Sequence, residues 1–222
     1  MIASILLCAG YGKRLLPLTK NIPKPLMPIA GKPLLSIWLD RLTEANFGPF
    51  LINGHHKFER ISEFINYNKH RDIIQFSYEE EMLGTAGTLI KNIDFIKDGG
   101  LILHADNYCL ANFSEFYKHH QKRPKSCLMT MMTYKTSTPS LRGIVKLDKN
   151  NIVTKFYEKD DREIGNIANG AIYLISKEMV NELKNNFSKC RDFSTEIIPA
   201  FLNRIYTYFT DQPLIDIGNI DD

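Results

Sequence analysis

The chain has 222 residues, 44% of them hydrophobic and 24% charged, enough to bury a core at the upper size range of one domain. A formal net charge of +3 is too small to argue for a nucleic-acid or membrane-surface partner. No apolar run approaches the ~18 residues of a membrane span, and residues 1–7 are too short, and lack the basic start, for a secretory signal, so a cytoplasmic protein is expected.

Residues 2–7, rich in Ile and Leu, predict a buried strand ending at Cys8. Gly10 and Gly12 then let the backbone turn tightly and approach a ligand. The cations Lys13, Arg14, Lys20, Lys24 and Lys32 follow, with no Asp or Glu before residue 33. A glycine turn at a strand end with that much uncompensated positive charge suits a polyanion. Leu15 stands where a dinucleotide fingerprint needs its third glycine, and the Gly-Lys-Ser/Thr of a P-loop is missing. Pro17, Pro23, Pro25 and Pro28 forbid a regular helix until about Pro33 and stiffen the loop instead.

Helical spacing over 33–46 and 57–68 brackets a short strand at 50–52, and a further strand is predicted at 73–78. An acidic run, Glu79-Glu80-Glu81, leads into Gly84-Thr85-Ala86-Gly87 and a helix reaching about Ile96. The strand 101–104 delivers Asp106 and Asn107 at its carboxyl end. A polar helix between Asn112 and Pro124 precedes a strand at 127–133, and 143–147 with 152–158 reads as a hairpin. A strand at 171–175, helices over 177–184 and 193–201 and a strand at 205–209 complete the pattern. Strands alternating with helices at these spacings call for a mostly parallel sheet covered on both faces, with ligands beyond the strands' carboxyl ends. Cys8, Cys109, Cys127 and Cys190 show no metal-ligand spacing and read as reduced thiols. The adjacent pairs His55-His56 and His119-His120 point in different directions and do not suit a shared metal.

The segments Gly-Tyr-Gly-Lys-Arg-Leu-Leu-Pro-Leu-Thr (10–19), Pro-Lys-Pro-Leu (23–26) and Pro-Ile-Ala-Gly-Lys-Pro-Leu (28–34) together resemble the N-terminal motif of the sugar-1-phosphate nucleotidylyltransferases. Leu-Gly-Thr-Ala-Gly (83–87) is most similar to the mannose- and heptose-1-phosphate guanylyltransferase branch, as is Asp-Phe-Ser-Thr-Glu (192–196). The implied fold is a Rossmann-like three-layer α/β/α sandwich with a mixed, mainly parallel central sheet of about seven strands. It is expected as a single domain over 1–222, with a nucleotide-binding half to about 110 and a sugar-phosphate-binding half beyond.

The resemblance implies transfer of a nucleoside monophosphate from a nucleoside triphosphate to a sugar 1-phosphate, with release of pyrophosphate. Arg14 and Lys24 are the expected catalytic residues, and Leu7, Ala9, Gly10, Gly12, Lys13, Glu79, Gly84 and Thr85 are expected to bind the nucleotide. Glu79 replaces the glutamine of thymidylyl relatives, and a carboxylate can accept from both N1 and N2 of guanine, which favours GTP. Asp106 and Asp216, the latter in Leu-Ile-Asp-Ile-Gly (214–218) where the family has Trp-x-Asp-x-Gly, are the expected Mg²⁺ ligands. Arg142, Gly143, Glu158, Lys159 and Asn169 match sugar-facing positions. Nucleic acid and membrane are not expected partners, and a homo-oligomer is left open. Left open too are a pyrimidine-nucleotide relative, including a phosphocholine cytidylyltransferase type suggested by Asp106-Asn107-Tyr108, and a catalytically silent nucleotide-sugar-binding subunit.

Overall fold

The apolar run at the start forms β1 (Ile2–Leu7), which sends Ile5 into one buried cluster and Leu6 into another on the opposite face. A strand buried on both faces has this near-continuous apolar composition. The computed structural model describes residues 1–162 and 164–218. After β1 the proline-rich loop makes only 3-10 turns, at Lys13–Leu15, Leu18–Lys20 and Lys24–Leu26, and then a small antiparallel pair, β2 (Pro28–Ile29) with β3 (Lys32–Pro33). There follow α1 (Leu34–Glu44), β4 (Phe47–Gly54), α2 (Phe58–Asn66), β5 (Ile74–Tyr78), α3 (Gly84–Lys91), β6 (Gly99–His104), β7 (Asn107–Cys109) and α4 (Phe113–Gln121). The second half runs β8 (Met129–Lys135), β9 (Gly143–Leu147), β10 (Val153–Glu158), β11 (Ile167–Ser176), α5 (Lys177–Asn186), α6 (Ile198–Ala200), β12 (Ile205–Phe209) and β13 (Leu214–Asp216).

The main sheet among the described residues has nine strands, not about seven, in the order β10-β9-β11-β6-β1-β4-β5, with β8 also on β11 and β12 on β8. The pairs β6-β1, β1-β4 and β4-β5 are parallel, and β11 joins them antiparallel. The parallel half is thus the βα alternation anticipated from the sequence, and the antiparallel strands widen the sheet on the other side. One core cluster packs Trp38, Leu39 and Leu42 of α1, Ile61 and Ile65 of α2 and Phe113 and Phe116 of α4 on the sheet. The opposite cluster packs Leu89 of α3, Met179 and Leu183 of α5, and Phe193 and Phe201. Full burial of each such large side chain contributes about 2–3 kcal/mol, and helices on both faces make the sandwich three-layered.

Two local departures from the expected elements shape the site. The helix expected over 193–201 is a π-helical turn, Phe193–Ile197, running into the short α6. Pro199 cannot donate the α-helical bond to Thr195, which favours a wider turn there. The strand expected at 171–175 begins earlier, at Ile167, and its pairing with β8 shifts register between Asn169 and Tyr173. At this bulge Ala171 takes φ 53°, and its N–H donates to the Asn169 side-chain oxygen at 2.9 Å. A bulge of this kind re-aims a side chain.

Candidate active site

Four parallel-sheet segments end on one side, and the residues just beyond them line a cavity of ≈ 180 Å³. The turn after β1 contributes Cys8, Ala9 and Gly10; β4 contributes Asn53; the residue after β5 is Glu79; β6 and its successor contribute His104 and Asp106. Lys24 and Pro25 close one side, and Gly84, Thr85 and Thr88 of α3 the other. This is the crevice where open α/β sheets bind ligands. Leu7, Ala9, Gly10, Glu79, Gly84 and Thr85 therefore come together as the motif implied. Gly12 and Lys13 do not line this cavity: Gly12 accepts the Thr19 hydroxyl through its carbonyl at 2.8 Å, and the Lys13 ammonium lies 5.1 Å from the Tyr11 ring centroid.

A buried polar ring organises the Asn53 side of this cavity. Asn53 Oδ1 accepts the Cys8 N–H at 2.7 Å, and Asn53 Nδ2 donates to Glu79 Oε1 at 2.8 Å and to Thr88 Oγ1 at 3.2 Å. The Thr88 hydroxyl donates to the same Glu79 oxygen at 2.6 Å, and Glu79 Oε2 accepts the Leu83 N–H at 3.2 Å. Both lone pairs of Oε1 are therefore used, and Oε2 alone has accepting capacity left, not the whole carboxylate expected from the sequence. Glu79 is 1% exposed, as its closed set of partners allows. The Glu79 carbonyl can only accept, so the 2.9 Å contact puts the His55 proton on Nδ1 and leaves Nε2 to accept the Tyr11 hydroxyl at 3.2 Å. Tyr11, in the glycine turn, is thereby tied to the strand end that carries Glu79.

A second cavity of ≈ 370 Å³ adjoins the first and shares His104 and Asp106 with it. Its walls include Arg142, Gly143, Glu158, Lys159 and Asn169, each of the sugar-facing positions named from the sequence, together with Asp192 and Thr195. Arg14 also lines this second cavity and not the first. A Cβ on Gly143 would lie 2.6 Å from the Phe156 ring and 2.9 Å from Glu158 Oε2, so only glycine lets that carboxylate approach. Asn169 is fixed by donating from Nδ2 to the Tyr173 hydroxyl at 2.7 Å. Partial burial raises the Glu158 carboxyl above its ordinary pKa against the opposing charge of Lys159, and burial raises the Tyr173 hydroxyl.

Between the cavities stands a row of charges. Asp106 follows β6, and Asp216 ends β13, which pairs antiparallel with β7 so that Asp216 faces Asn107 in register. This two-stranded ribbon brings together two carboxylates 110 positions apart in the chain. Lys24 Nζ lies 2.6 Å from Asp106 Oδ2 and 3.3 Å from Asp216 Oδ1, and Arg142 donates to Asp216 Oδ2 at 2.6 Å. Arg142, expected against the sugar, is thus bound to the carboxylate expected to hold metal, while still lining the second cavity. Burial works to raise the Asp106 carboxyl, but the Lys24 ammonium and His104 more than offset it, and its pKa falls below the ordinary value. Burial keeps the His104 ring below its ordinary value despite Asp106. One ammonium head reaching both carboxylates shows that a single cation can bridge them, and two carboxylates complemented by phosphate oxygens suit Mg²⁺. Behind this row the Trp38 indole N–H donates to the Asn107 carbonyl at 2.8 Å, and Asn107 Nδ2 donates to the Gly170 carbonyl at 3.1 Å in the bulge of β11.

The model of the nucleotidyl transferase family matches residues 3–222. The D-glycero-alpha-D-manno-heptose 1-phosphate guanylyltransferase of Campylobacter jejuni is 29% identical over 99% of this chain and 96% of its own. Mannose-1-phosphate guanyltransferase 2 of Candida glabrata is 28% identical over 98% of this chain, which spans 62% of that protein's length. Among solved structures, HddC from Yersinia pseudotuberculosis complexed with GMP-PN superposes with a TM-score of 0.82 at 23% identity, covering 100% of this chain and 96% of that one. A UDP-glucose pyrophosphorylase complexed with UDP-glucose superposes with a TM-score of 0.81 at 20% identity, covering 100% and 95%. Both show the same fold. Among the described residues, no helix is long and apolar enough to cross a membrane.

Proposed function

The chain belongs to the nucleotidyl transferase family, among the sugar-1-phosphate nucleotidyltransferases, and on that premise we propose that it transfers a nucleoside monophosphate from a triphosphate, GTP by preference, to a mannose- or heptose-type sugar 1-phosphate. The observation that carries this reading is that two cavities meet at one carboxylate, Asp106, with cationic side chains on both sides. The nucleotide occupies the first cavity and the sugar phosphate the second, so that a sugar-phosphate oxygen lies in line with the α-phosphorus and the departing pyrophosphate. No covalent enzyme intermediate is required, and no general base, because the attacking phosphate is already ionised.

Bringing two anions together costs several kcal/mol unless cations neutralise them, and positioning supplies much of the remaining rate. Lys24 neutralises the α-phosphate and Lys159 the phosphate of the nucleophile, and Arg14, which lines the second cavity and not the first, would turn toward the triphosphate to neutralise the leaving phosphates. Glu158 and Asn169 accept from and donate to sugar hydroxyls. Asp106 and Asp216 would hold Mg²⁺, which when bound supplies charge neutralisation between the two reactants. The guanine preference is supported by Glu79, which lines the first cavity and whose Oε2 keeps accepting capacity, and by the guanylyltransferase relatives.

The test is pyrophosphate release with GTP, UTP, CTP and dTTP, each offered with mannose, glucose, N-acetylhexosamine and heptose 1-phosphates, with and without Mg²⁺. The expected result is magnesium-dependent release with GTP and a manno-configured sugar. Release with a pyrimidine triphosphate alone would retain the reaction and remove the Glu79 argument; no release with any pair would remove the reaction.

A further inference from the structure

Lys24 has two tasks that one ammonium cannot perform together. The transfer reading puts it on the α-phosphate, yet its Nζ lies between Asp106 Oδ2 and Asp216 Oδ1, at 2.6 and 3.3 Å. The side chain is only 8% exposed, and Lys24 stands at the start of its 3-10 turn between the buried Pro23 and Pro25. Asp216 Oδ2 is already taken by Arg142. The row Asp106, Lys24, Asp216, Arg142 therefore alternates in sign, each carboxylate compensated by a side-chain cation.

A divalent ion on these carboxylates needs oxygen ligands at about 2.1 Å, and it would have to share the space between them with the full positive charge of Lys24, which is held there largely buried although Asp106 and Asp216 keep 35% and 21% of their side-chain surface exposed. Repulsion at such a partly buried position is stronger than in bulk water. A lysine on a flexible four-carbon stem can move its head to a nearby phosphate, and Lys24 also lines the nucleotide cavity. We propose that Lys24 is the resident counter-ion of the metal carboxylates, and that the triphosphate opens the site by drawing the ammonium to itself. The divalent cation is then taken up with the nucleotide, and the cation alone is held off. This inference rests on the reading of Asp106 and Asp216 as metal ligands.

The experiment uses Mn²⁺ as the probe, with water-proton relaxation enhancement reporting ion held on the protein, for wild type, Lys24→Met and Lys24→Gln. Removing the ammonium is expected to tighten binding of Mn²⁺ alone by about tenfold or more, and Mn²⁺ alone is expected to raise the melting temperature of both variants but not of wild type. Adding any accepted triphosphate to wild type should restore tight Mn²⁺ binding. Equal affinity of wild type and variants for Mn²⁺ alone overturns the inference. So does wild-type binding that is as tight without a triphosphate as with one, an arm that does not depend on either variant folding. Failure of wild type to hold Mn²⁺ with each of GTP, UTP, CTP and dTTP, unchanged in Asp106→Asn, overturns the metal assignment itself and the inference with it.

Discussion

The Thr85 hydroxyl accepts the Phe193 backbone N–H at 2.8 Å, joining the wall of the first cavity to the turn beside Asp192 and Thr195 of the second. The same junction is tightened by Arg191, whose carbonyl accepts the Ala86 N–H at 2.9 Å and lies 2.3 Å from where a Cβ on Gly84 would stand, at φ +79°. Losing one such bond costs about 1 kcal/mol, or about fivefold in an equilibrium constant. Thr85→Val is expected to raise KM for both substrates together by about 3–10-fold, whereas Thr85→Ser, which keeps the acceptor, stays near wild type. Steady-state kinetics with each substrate varied in turn checks this; a rise confined to one substrate would show that the junction does not couple the cavities.

The charge row between the cavities predicts the largest losses. Asp106→Asn and Asp216→Asn are each expected to lower kcat by more than about 100-fold, or about 3 kcal/mol of transition-state stabilisation. Their circular dichroism should remain that of wild type. Chelation of divalent ions should abolish turnover and added Mg²⁺ should restore it. Near-normal turnover in both variants would remove the row from the chemistry.

Gly143→Ala separates the two cavities. The added methyl meets the Phe156 ring and Glu158 Oε2 at 2.6 and 2.9 Å and must displace them. An increase of about tenfold in KM for the sugar phosphate is expected, roughly the loss of one good hydrogen bond to a charged group. KM for the triphosphate should change by less than about twofold, since these residues are not in the first cavity.

His120 gives a pH dependence of stability unrelated to catalysis. It is 6% exposed, its Nδ1 lies 2.8 Å from the Thr130 hydroxyl, and burial, with Arg123 and His119 adding to it, pushes its pKa down from 6.5 to about 3. Between those values the unfolded chain binds a proton that the folded chain does not. The contribution is therefore fully present above pH 6.5 and lost as pH falls toward 3, with a slope of at most about 1.4 kcal/mol per pH unit. Urea unfolding at several pH values in this window should show a steeper loss for wild type than for His120→Gln. Equal slopes would show that His120 is protonated in the fold at these pH values.

The parallel half of the fold was legible because its strands are apolar runs and its helices carry 3.6-residue periodicity, as at Trp38, Leu39 and Leu42. The sugar-facing residues were named through the family resemblance instead, and they line one cavity although their strands lie in the order β10-β9-β11 and not in chain order. What could not be read was pairing across distance. The β7-β13 ribbon that sets Asp216 beside Asp106 is two three-residue strands, too short for any periodicity. Asn53 lies just beyond the strand expected at 50–52, and nothing local indicates that its amide closes a ring with Glu79, Thr88 and Cys8. The bulge at Asn169 hid because residues 170–172 stand against the single Met132 of the neighbouring strand, and two extra residues interrupt the regular pairing by which strands are recognised. Arg142 was legible as a site residue but not as the partner of Asp216, since ion pairs between segments leave no spacing rule.

The sequence contains one tryptophan, Trp38, and its indole N–H is bonded to the carbonyl of Asn107, the residue after Asp106. An indole's emission responds to its hydrogen bond and to nearby charge. The protein thus carries a built-in optical sensor one residue from Asp106, where the two cavities meet, and filling of either can be followed by intrinsic fluorescence, without a label and without turnover.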